Sequence, residues 1–169
     1  MTEKSSGSRL EKVAMSKVEK WLVDEARKVG LDIEGFEHQI TNEFVNHVIN
    51  RHGNDKSEAA YGQVAIRQGD FDKIPELVKE PDFMVIGARR KEKDILIYTK
   101  KMPDGTTFYL EEILKGKNNR VLRGKTMYKR KGDINEKNLE TVVRQNGKTD
   151  LSNAKIISRG GSHSPSEVV

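Results

Sequence analysis

The sequence predicts an α+β fold: helices packed on a four-stranded antiparallel β-sheet, with an N-terminal amphipathic helix and a disordered C-terminal tail. Three observations predict it. Helical spacing of apolar residues dominates the chain up to Pro81. Strand-like runs then crowd together as far as Arg130. The links between the later runs are too short to hold crossover helices, which favours hairpins.

Taken in order, Ser8 followed by Glu11 reads as a capping box. Leu10, Val13, Ala14, Val18, Trp21, Leu22 and Val29 then recur at helical spacing until Gly30 stops the run. After the loop "LDIEGFEHQI", Thr41 caps a second helix that ends near His52, with Gly53 as its stop. Phe44, Val45, Val48 and Ile49 form the apolar stripe of this helix. At about 100° per residue His52 falls inside that stripe and His47 off its edge.

"QVAIRQ" predicts a short strand, and "GDFDKIPELVKEPD" a helix capped by Asp70 and ended by Pro81, with Pro75 starting its second turn. The runs "FMVIGA", "DILIYTK", "TTFYLEEIL" and "RVLRGKTMYKR" are the four expected strands, the last three separated by turn signals at 103–105 and 116–119. "NLETVVRQ" suggests one more short helix, and "SRGGSHSPSEVV" a disordered tail in which His163 is inert. The expected organisation is an accessory helix at 1–35, a domain at 36–131, and a short helix with a flexible tail at 132–169.

The chain has 169 residues, of which 34% are charged and 34% hydrophobic. Mean hydropathy is −0.74. Cysteine is absent, which excludes disulfides, a thiol nucleophile and any cysteine-based metal site. No apolar run approaches a membrane span and no leader is evident, so a cytoplasmic protein, of a bacterium or a phage-infected host, is expected. The net charge of +5 is concentrated rather than spread. Residues 115–131, "KGKNNRVLRGKTMYKRK", hold eight Lys or Arg and no acid. Such a strip with an aromatic inside it suits phosphate backbones, and an edge strand kept unsticky by lysines reads the same way.

His47 and His52 stand five positions apart. Zinc-binding helices place histidines at i and i+4, so that both rings face one ion; here the rings start about 140° apart and no third ligand is obvious. No metal and no cofactor is expected. His52 reads either as a core residue favoured by the helix C-terminus or as a catalytic group. His47 reads as a solvated surface histidine or as its partner. Imidazole serves as acid or base near neutrality, and nearby cations stabilise charge developing on a phosphate.

His47, His52-Gly53, Gly62-Gln63, Asp70, Ile74-Pro75, Pro81-Asp82 and "KTMYK" at 125–129 occur in that order. The set resembles the phage-type branch of the barnase–EndoU–colicin–RelE-like nuclease superfamily over about residues 36–131. The resemblance implies a metal-independent endoribonuclease in a phage or toxin context, cleaving RNA on the open face of its sheet. It implies RNA as substrate, tRNA included, and an immunity or antitoxin protein as partner. His47 and His52 are then the acid–base pair, order open. Thr126 and Tyr128, which share strand parity, offer hydroxyls. Gln63, Arg120, Arg123, Lys125, Lys129 and Arg130 are the candidate substrate contacts. Arg123 and Lys125 have the opposite parity, so both sets reach one site only if a bulge intervenes, which Gly124 permits. The alternative is a non-catalytic nucleic-acid-binding or phage interaction protein that uses the same strip.

Overall fold

The computed structural model describes residues 12–159 apart from residue 118 and residues 146–148. The expected capping box at Ser8 and Glu11, and His163, lie outside these residues. The strands are β1 (Lys12–Lys17), β2 (Glu37–Thr41), β3 (Gln63–Val64), β4 (Phe83–Arg90), β5 (Lys93–Met102), β6 (Gly105–Gly116), β7 (Asn119–Arg130), β8 (Thr149–Asp150) and β9 (Lys155–Ser158). The helices are α1 (Lys20–Lys28), α2 (Asn42–His52), α3 (Asp55–Ala59), α4 (Ile74–Lys79) and α5 (Glu136–Gln145), with a 3-10 turn at Gln68–Lys73 before α4.

The four expected strands are present as the antiparallel meander β4 to β7. They are not the whole sheet. Among the described residues it has nine strands in the order β1-β2-β7-β6-β5-β4-β8, with β3 also on β7 and β9 also on β4. The sheet is mixed because β2 runs parallel to β7 over Val121 to Arg123. A backbone edge left open by either outer strand of the meander would be a liability, and the flanking segments cover both.

Three sequence expectations are corrected here. The loop expected over "LDIEGFEHQI" gives way at its end to β2, which pairs with β7. The helix expected to reach Gly30 begins only at Lys20; Lys12–Lys17 is instead a strand paired antiparallel with β2. Helical spacing there loses to the unpaired edge of β2, which needs donors and acceptors. Residues 160–169 of the expected tail lie outside the described residues. Part of the C-terminal segment expected to be flexible is a strand, because β9 pairs with Phe83 to Ile86 of β4. Its two isoleucines serve both sides of the sheet, Ile156 on one core and Ile157 on the other.

Alternation along the central strands feeds those two cores. On one face Leu22 and Ala26 of α1, Phe44 and Val48 of α2, and Leu77 and Val78 of α4 pack against Leu96, Tyr109 and Met127. On the other, Leu139, Val142 and Val143 of α5 pack against Val85, Ile95, Ile97, Phe108 and Leu110. The expected short helix is therefore a true layer of the fold. Within the first core lies a polar knot: Glu111, fully buried, meets His38 Nδ1 at 2.7 Å and accepts from the Tyr98 hydroxyl at 2.7 Å. Burial opposes a charge on His38, but the Glu111 carboxylate outweighs it and the ring's pKa is raised.

The antiparallel pairing of β6 with β7 slips by one residue between Leu110 and Glu111, because Leu110 faces Thr126 while Glu111 faces Gly124. Lys125 is thus the extra residue of a β-bulge. Gly124 has room for no side chain: a Cβ there would stand 2.7 Å from the Tyr109 hydroxyl. No helix among the described residues is long and apolar enough to cross a membrane.

Candidate active site

The α5 side of the sheet is not covered evenly. Between α2, the bulge of β7 and the β4–β5 turn lies a pocket of about 370 Å³. His47, Arg51 and His52 line it from α2, Arg90 and Lys91 from the turn, and Lys125, Thr126 and Tyr128 from β7. Val143 of α5 and Thr149 of β8 close the far wall.

Each group has a local reason for its place. Helix α2 starts at Thr41, whose hydroxyl accepts the Phe44 N–H at 3.0 Å, and ends on Gly53, whose N–H donates to Ile49 O. The helix stays intact through His52, whose carbonyl accepts from Ile66 N at 2.7 Å. Both histidines nonetheless line one pocket, from opposite flanks of the helix and with Arg51 between them. On the strand, the bulge sets Lys125 beside Thr126 and Tyr128 at the pocket. By inserting Lys125 it moves Arg123 onto the face of Thr126 and Tyr128, since Arg123 pairs with Glu112 and Thr126 with Leu110. The β4–β5 turn uses Lys91 and Glu92 at φ 52° and 65°, a left-handed pair of the kind a two-residue hairpin requires.

The rings form a layered wall. Tyr128 stacks on Phe108 with centroids 4.8 Å apart, and His52 tilts over Tyr128 at 5.8 Å. Burial pushes the Tyr128 phenol well above its usual pKa, against the opposing pull of Arg130 and Arg90, so it stays a hydroxyl. His47 moves the other way. Burial first, then the charges of Arg51, His52, Lys125 and Arg90, hold its ring below the ordinary histidine pKa. His52 is anchored through Nδ1 to Glu58 Oε1 at 3.1 Å. The arrangement offers two imidazoles, two hydroxyls and several cations around one cavity, a set able to bind an anion and move protons beside it.

A family model described as phage-Barnase-EndoU-ColicinE5/D-RelE like nuclease3 matches residues 16–137. The chain belongs to this family. No curated protein and no solved structure matches it. The family supports a nuclease of the barnase–EndoU–colicin–RelE type, and the matched span takes in β2 through β7 and every pocket residue except Val143 and Thr149.

Of the residues expected from the sequence, the structure gathers His47, His52, Lys125, Thr126 and Tyr128 at the pocket. The others lie outside its lining. Arg120 donates to Glu34 O and sits over the Phe36 ring. Arg123 donates through Nε to Gln39 at 2.9 Å. Gln63 is buried opposite Arg130 where β3 meets β7. Lys129 points into the opposite side of the strand, 2% exposed, with its ammonium on Asp70 at 2.8 Å and Asp104 at 2.9 Å. Two members of the resemblance set, Asp70 and Lys129, thus meet as a tie within the fold. Sequence reading missed Arg51, Arg90, Lys91 and Glu58. The first three carried a signal: Arg51 is one helical turn after His47, and "RRK" marks a basic turn between two strands. Glu58, on a short polar helix, carried none.

Proposed function

We propose that this nuclease is a metal-independent endoribonuclease of a phage or toxin system, acting on RNA such as tRNA. The observation that supports it best is the convergence of His47 and His52 on a pocket ringed by Arg51, Arg90 and Lys125. In this reading one imidazole takes the proton of a ribose 2′-hydroxyl as its oxygen attacks the adjacent phosphorus. The other gives a proton to the departing 5′-oxygen, leaving a 2′,3′-cyclic phosphate and a free 5′-hydroxyl. The guanidiniums and Lys125 stabilise the extra charge on the phosphorane, and Thr126 and Tyr128 donate hydrogen bonds to its oxygens. Among the described residues no three His, Asp or Glu side chains converge as metal ligands.

The test is incubation with total RNA and with tRNA, with and without excess EDTA, followed by end-group analysis. Cleavage in EDTA with cyclic-phosphate ends is expected. His47→Ala and His52→Ala should each lower the rate by about 10²–10⁴, the range for one positioned acid or base. Losses that act on one concerted step should not add in the double variant. Cleavage that stops in EDTA and returns with a divalent ion would refute the mechanism. Binding without cleavage would favour the alternative, a nucleic-acid-binding protein.

A further inference from the structure

A glutamate on a five-residue surface helix belongs in water, yet Glu58 of α3 is 3% exposed. Burying a carboxylate is costly unless it is paired, so its place needs a partner. The partner is His52, with Nδ1 at 3.1 Å from Oε1. The local chain is built to hold the pair. Asn54 caps α3 by accepting the Ser57 N–H at 2.9 Å, and the Glu58 N–H donates to Asn54 O at 3.0 Å. The other end is held by His52 itself, through its carbonyl bond from Ile66 N.

We propose that Glu58 is the positioning residue of the site: it accepts the Nδ1–H of His52, turns Nε2 toward the pocket, and makes His52 the proton donor to the leaving oxygen, with His47 the base. This deepens the ribonuclease reading and rests on it. Around His52 stand Glu58 from α3, His47 and Arg51 from α2, and Tyr128 from β7. The charges that act on His47 are Arg51, His52, Lys125 and Arg90. The asymmetry divides the roles. The Glu58 carboxylate keeps the Nδ1 of His52 as a donor and leaves Nε2 free to face the pocket, and a ring among cations is stabilised when it does not carry the proton. The depressed pKa of His47 agrees with this division.

The test uses the full chain and two independent readouts on Glu58→Gln, Glu58→Asp and Glu58→Ala, each first checked for folding by thermal melt. Ring-nitrogen NMR without RNA should show His52 as one tautomer in the wild type and as a mixture in Glu58→Gln. On a short single-stranded RNA, the alkaline limb of kcat/KM against pH should move to lower pH in Glu58→Gln while the acid limb stays. The loss at neutral pH should be no more than the ~10²–10⁴ that one proton-transfer group contributes, and Glu58→Asp should restore part of it. An unchanged His52 ring in Glu58→Gln overturns the positioning role. A uniform fall in rate with both limbs unmoved overturns the division of roles and leaves Glu58 as fold support. If the wild type cleaves no RNA, the ribonuclease reading falls, and the ring spectrum alone still decides whether Glu58 sets the tautomer.

Discussion

Lys125 and Lys129 sit on the same strand, four positions apart, and have opposite fates. Lys125 is exposed at the pocket, with its ammonium 3.9 Å from Glu112. Lys129 is sealed between two aspartates. The difference predicts two separable phenotypes. Lys125→Ala should keep the melting temperature and lower the slope of log affinity against log salt by about 0.7, one single-strand phosphate contact. Lys129→Ala should leave that slope alone and destabilise the fold by on the order of 3 kcal/mol, because it strands the partly buried Asp70. Equal slopes in all three proteins would remove Lys125 from the substrate path. This is also the limit of what the basic strip disclosed. Its charge was visible in the sequence; which ammonium faced solvent was not, since that depends on Asp70 and Asp104, remote in the chain. His47 and His52 were legible through spacing and chemistry, whereas Glu58 was invisible because only the docking of α3 makes it a buried group.

At the scale of elements, the bulge at Lys125 decides who meets whom. A regular β7 would put Lys125 on the face opposite Thr126 and Tyr128, and the pocket would lose its nearest cation from the sheet. The glycine beside it is there because the Tyr109 hydroxyl fills the space of a side chain. Gly124→Ala should therefore displace Tyr109, cost about 1–3 kcal/mol as overpacking does, and lower the cleavage rate more than a stability loss of that size explains. Full activity with unchanged melting would show that the bulge survives without the glycine. Strands β4 to β7 were legible because alternation and turn residues are local signals. Strands β1, β2, β8 and β9 were not: "KVAMSK" has helical spacing, "EHQIT" reads as the end of a loop, "TD" has no pattern, and "KIIS" is too short to stand out. β8 and β9 are strands because the edge of β4 was open to them, and β1 because the edge of β2 was.

At the scale of the whole molecule, the C-terminal segment closes the sheet. Ending the chain before Thr149 removes β8 and β9, unpairs β4 from Phe83 to Ile86 and exposes both cores beneath Ile156 and Ile157. Two half-buried isoleucines at about 1–2 kcal/mol each predict a fall in melting temperature on the order of 5–10 °C by calorimetry. A truncated chain that melts like the full one would show that β9 is a passive attachment. Strand β7 has a further consequence. It takes β6 along one side and, along the other, β2 at its beginning and β3 at its end, with α2 packed against it as well. The segments that carry the histidines and Glu58 leave the ribosome long before the strand they need, and contacts so distant in sequence form late. Until β7 has been made and paired, His47 and His52 stand on a helix without the strand that forms the opposite wall of their pocket, so the site is assembled by the slowest contacts of the fold rather than carried by any one segment.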